Sequence, residues 1–118
     1  MRLLVILLVL LAGKSAIAAP PDLLCQEVKV LHIDPRALSV REYDSSTIYR
    51  IKSGNLYISS PDRVEYMYNK VSEVEAMRYV SGHKVIQFEA GRPEYRSAIF
   101  VHTHLDEVRV SRARCQRL

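Results

Sequence analysis

His102 and His104 stand two residues apart within the run Ser97 to His104. On an extended strand both imidazoles face the same side, about 7 Å apart along the chain. A carboxylate at Glu107, just beyond a short turn, would complete a three-ligand set of the kind zinc takes. This is the sharpest metal signal in the chain, and it makes zinc the one cofactor the residues suggest. Set against it is the ordinary fate of a short His-x-His pair, two solvated strand histidines, and no His-Glu-x-x-His motif strengthens the case.

Catalysis finds less support. No serine sits in a Gly-x-Ser-x-Gly elbow. The carboxylate pairs Glu73 with Glu75 and Asp106 with Glu107 lie in polar, turn-like stretches, where nothing would raise one pKa and leave the other low. The chain therefore reads as a non-enzyme. The basic run Arg109, Arg112, Arg114 and Arg117 invites an anion, but on a strand Arg112 and Arg114 share one face and Arg109 takes the other. Charges on an edge strand that block edge-to-edge pairing are the simpler explanation, and no nucleic-acid partner is expected.

Tyrosine carries the binding signal. Seven Tyr, two Phe and no Trp form an aromatic set with polar ends. Tyr and Arg recur at interface hot spots because they supply area and hydrogen bonds at modest entropic cost. Arg50, Tyr57, Tyr66 and Tyr68 are the candidate partner-binding residues, suited to a protein or a glycan.

Two features bound the compartment. Residues 1–18 pair a basic start, Arg2, with the apolar stretch Leu3 to Ala12 and end in small residues, which is the pattern of a secretory signal peptide cut after Ala18. Its apolar part is shorter than the ~20 residues of a membrane span, so no span is expected after cleavage. Without Arg2 and Lys14, fifteen basic residues face thirteen acidic ones, and the formal charge falls from +4 to +2. Net charge then says little about partners. Cys25 and Cys115 lie near the two ends of the mature chain, 19–118, and an oxidising compartment makes their pairing the default. Closing so long a loop contributes about 4 kcal/mol in the chain-entropy model. The expected location is secreted or periplasmic.

The elements that must position these residues are strands. Leu23 to Asp34 and Ala37 to Tyr43 alternate around Asp34 and Pro35. A turn at Ser53, Gly54 and Asn55 sets Tyr49 and Ile51 against Ile58 and Leu56, with Arg50, Lys52 and Tyr57 opposite. A second turn at Gly82 and His83 opposes Met77 and Tyr79 to Phe88 and Ile86. After a loop at Gly91, Arg92 and Pro93, Ser97 to His104 and Glu107 to Arg114 fold back at Leu105 and Asp106. Between the hairpins, residues 61–79 admit a helix through Ser60, Pro61 and Asp62, but the density of β-branched and aromatic residues favours a strand from Arg63 to Lys70. Ser72 with Glu75 could then cap one helical turn. Seven or eight short strands predict a small antiparallel β-barrel or sandwich in a single domain; an α+β domain with one helix is the alternative.

In size, leader and terminal cysteines the chain resembles the small secreted β-barrel inhibitors that bacteria keep in the periplasm against lysozymes and proteases. The likeness is one of architecture, with no motif matched residue by residue. It implies a non-catalytic, inhibitor-like binding module; a zinc-binding protein using His102 and His104 is the alternative.

Overall fold

In a computed structural model that describes residues 20–89 and 94–118, alternation of apolar and polar residues is realised as ten antiparallel strands. They are β1 (Leu23–Asp34), β2 (Ser39–Asp44), β3 (Ile48–Lys52), β4 (Asn55–Ser60), β5 (Arg63–Lys70), β6 (Ser72–Glu75), β7 (Arg78–Ser81), β8 (Lys84–Phe88), β9 (Ser97–His104) and β10 (Glu107–Arg117). One sheet runs in the order β5-β4-β3-β1-β10-β9-β8-β7-β6, with β2 added beside β1. It curls into a nearly closed nine-stranded barrel. A single curled sheet decides for the barrel over the sandwich, with ten strands where seven or eight were expected. The expected leader and the loop at Gly91, Arg92 and Pro93 lie outside the described residues.

The strand Arg63 to Lys70 forms as anticipated, and the helix over 61–79 does not. The reason is tertiary. β5 covers the edge of β4, which a helix would leave with unpaired backbone groups. Ser72–Glu75 likewise pairs with β7 as a strand rather than forming a capped helical turn. β10 is central, between β1 and β9, so its arginines cannot be edge guards.

Inside the barrel, Leu23, Ile51, Leu56, Ile86, Phe88 and Phe100 are buried almost completely. Burying each such side chain contributes about 1.5–3 kcal/mol against the conformational entropy lost. Cys25 and Cys115 face each other across β1 and β10 and form the expected disulfide, 90 residues apart in sequence. Such a bond indicates an oxidising, non-cytoplasmic compartment. Among the described residues, no helix is long and apolar enough to cross a membrane.

Two irregularities matter for the site. A bulge at Val28 in β1 separates Glu27, opposite Ala113, from Lys29, opposite Arg112. The extra residue reverses the alternation, so Leu23, Cys25 and Glu27 point inward before it, and Val30 and His32 after it. A second bulge makes Tyr68 the extra residue of β5. Tyr68 reaches across to the β7–β8 turn, where the His83 backbone N–H donates to its hydroxyl at 3.2 Å.

Candidate functional site

The inward face of the barrel changes from apolar to polar towards the end where β2 is added. Directly opposed residues across six strands form one row: Arg41, His32, Arg109, His102, Lys84 and Ser81. The next row inward is largely apolar, with Val30, Ser111, Phe100, Ile86 and Tyr79 opposed in turn. The row descends from solvent into the core. Arg41 is exposed, the His32 and Arg109 side chains are 21% and 31% exposed, and Lys84 is only 6% exposed.

Glu27 lies beneath this row and is 1% exposed. The Tyr49 hydroxyl donates to its Oε2 at 2.8 Å, and an Arg109 amino group stands 4.0 Å from its Oε1. Tyr49 is held in turn by stacking on Phe100, with ring centroids 4.3 Å apart. Burial and the neighbouring carboxylate push the phenol upward, so Tyr49 stays protonated and remains a donor.

Lys84 lies near two rings, its Nζ 5.6 Å from the centroid of Tyr49 and 5.4 Å from that of Tyr68. Burial, and then Arg109, lower its ammonium from 10.5 to about 8; Glu27 opposes them. His102 is also lowered, chiefly by burial and then by Lys84 and Arg109. At the outer end His32 Nε2 meets Glu107 Oε2 at 2.6 Å, which holds that carboxyl below its usual range.

Polar atoms without partners concentrate here. Among the described residues, five buried side-chain nitrogens or oxygens lack a hydrogen bond, and four of them belong to this face: Glu27 Oε1, Ser81 Oγ, His102 Nδ1 and Arg109 Nε. An unmade bond at a buried polar atom costs about 1–3 kcal/mol. Such a cluster is what a missing ligand would repair.

The residues expected from sequence are distributed unevenly about this face. His102 and His104 share it, with ring centroids 6.4 Å apart, but Glu107 is engaged by His32. Among the described residues no three His, Cys, Asp or Glu side chains converge as a metal would require. Arg50 and Tyr57 lie on the outer face, cross-strand partners with the guanidinium 5.2 Å from the ring and paired to Glu65. Tyr66 and Tyr68 instead pack against the core. The four do not form one patch.

Glu27, Tyr49, Ser81 and Lys84 were not singled out by sequence. Their signal was parity. Lys84 shares the phase of the buried Ile86 and Phe88, and Glu27 that of Leu23 and Cys25. A charge at an inward position is the informative exception.

The outer face offers a different surface. Val85, Val101, Val110 and Leu31 oppose one another across four strands, and Ile99 borders a groove of about 280 Å³ that also touches Lys29, Glu42 and Arg112. Comparison with protein-family models, with curated proteins and with solved structures finds no match.

Proposed function

We propose that this chain is an exported, non-catalytic binding module, secreted or periplasmic, that receives its partner on the inward face at the Lys84 end of the barrel. The observation that carries the reading is the cluster of unsatisfied buried polar atoms, Glu27 Oε1, Ser81 Oγ, His102 Nδ1 and Arg109 Nε, on one face. Binding fits the chemistry better than catalysis because each carboxylate already has an oxygen held, Glu27 Oε2 by Tyr49 and Glu107 Oε2 by His32. Apart from the acceptor Glu27 Oε1, the open groups are a hydroxyl, an imidazole, a guanidinium and the Lys84 ammonium, suited to holding a ligand rather than moving its protons.

The test is calorimetric titration of the mature chain with a panel of acidic peptides and of neutral and acidic oligosaccharides, repeated on Arg109→Gln. At least one class should bind and should weaken in the variant. Binding untouched by Arg109→Gln, or no binding across the panel, would refute this site. The zinc reading draws on the free Nδ1 of His102, and native mass spectrometry with and without chelator decides it. One zinc per chain, lost in His102→Ala, would establish it.

A further inference from the structure

Five consecutive members of the inward row are basic: Arg41, His32, Arg109, His102 and Lys84. Like charges directly opposed across strands destabilise a sheet, and this arrangement repeats the fault along one line. Arg41, Arg109 and Lys84, the members charged at neutral pH, occupy alternate strands of the five, with a histidine between each pair. Neighbouring strands lie about 4.8 Å apart, so the row spans roughly 19 Å of backbone and the strands carrying Arg41, Arg109 and Lys84 recur about every 10 Å.

Two carboxylates stand nearby and offset the row in part, leaving a positive excess that grows as its histidines protonate. Glu27 lies 4.0 Å from Arg109 and is held by Tyr49, while Glu107 pairs with His32. Lys84 is more than nine-tenths buried with its Nζ near aromatic faces, and Ser81, 1% exposed, ends the row with its hydroxyl unpaired. At the outer end Arg41 lies over Tyr43, 5.8 Å from the ring centroid.

Building on the binding reading above, we infer that the partner is a linear acidic oligosaccharide that crosses the strands along this row. Its anionic groups, on alternate sugars, meet Arg41, Arg109 and Lys84. Arginine engages carboxylate or sulfate through two donors at once. Tyr43 and Tyr68 supply flat apolar surface beside the row for the sugar rings. A compact single anion would leave most of the row unused, and a chain with denser charge would match it poorly.

The experiment compares three probes with the mature, disulfide-bonded chain: a hyaluronan hexasaccharide with one carboxylate on alternate sugars, uncharged cellohexaose and linear polyphosphate of similar length. The hyaluronan hexasaccharide should bind best, weaken with salt, and lose about tenfold or more in affinity in Arg109→Gln and in Lys84→Met. Its disaccharide should bind about tenfold or more weakly, since it reaches only one cation. Arg112→Gln, on the outer face, should leave affinity within about twofold; circular dichroism of each variant separates lost binding from lost fold. Cellohexaose binding equally well at the Arg109 face would overturn the acidic ligand and leave the binding face standing. Tighter polyphosphate binding would overturn the charge spacing, and binding by none of the three would overturn this ligand class.

Discussion

Replacing Lys84 by methionine is expected to stabilise the protein while weakening its ligand binding about tenfold or more. The ammonium titrates at about 8 instead of 10.5 because burial and Arg109 oppose its charge more than Glu27 favours it. At ~1.4 kcal/mol per pH unit, that gap is a cost of about 3 kcal/mol at neutral pH. Methionine keeps the stem and discards the charge, so Lys84→Met should gain about 1–3 kcal/mol once imperfect repacking against Tyr49 and Tyr68 is allowed for. The pH dependence is a second test. Below about 8 the cost is present in full, and it fades as pH rises towards 10.5, because there the unfolded chain still binds a proton that the folded chain has released. The variant's advantage should therefore fall to about 1 kcal/mol near pH 9.5. Urea unfolding with the disulfide intact, followed by circular dichroism, measures both. A loss of more than about 1 kcal/mol in the variant, or an advantage that does not change with pH, would refute the argument and make Lys84 a structural partner of Glu27.

Other outcomes follow from the same geometry. The His102 imidazole is lowered from 6.5 by burial, Lys84 and Arg109, with Glu107 opposing and His104 adding slightly. The unfolded chain thus takes up this proton first, so His102 should cost stability as pH falls through 6.5, and His102→Gln should flatten that slope in urea unfolding. Anion affinity should rise over the same range as His102 gains charge, measured by calorimetry; falling affinity would contradict it. Removing the disulfide with Cys25→Ser and Cys115→Ser should cost about 4 kcal/mol in urea unfolding. Gly82 adopts φ +56, and a Cβ there would come within 2.9 Å of Tyr68. Gly82→Ala should therefore cost about 1–2 kcal/mol and weaken binding by shifting Tyr68 away from Lys84, both readable in one denaturation and one titration series.

Most of the barrel was legible in the sequence, because hairpin register is a local matter. Gly54 and Gly82 mark turns whose flanking alternation sets Tyr49 against Ile58 and Tyr79 against Ile86, as the sheet has them. The Cys25–Cys115 bond followed from compartment and chain position. The binding face was less legible, since its members come from six strands spread between residues 27 and 109 and only sheet order brings them into line. Local pattern gave the two histidines and the arginines but not their alignment. The bulge at Val28 hid Glu27 further, because strict alternation sets Glu27 and His32 on opposite faces. The reading of Arg109 as an edge guard failed for the same reason: strand order, not strand composition, puts β10 at the centre.

The most direct test of the basic face is the titration of the Lys84 amine, followed by nitrogen-15 NMR with and without the hyaluronan hexasaccharide. In the free protein the amine should titrate near 8, held down by burial and Arg109, and an anion beside it should move the midpoint upward by at least about one pH unit. An amine that titrates near 10.5 in the free protein and does not respond to saturating hexasaccharide would contradict the account.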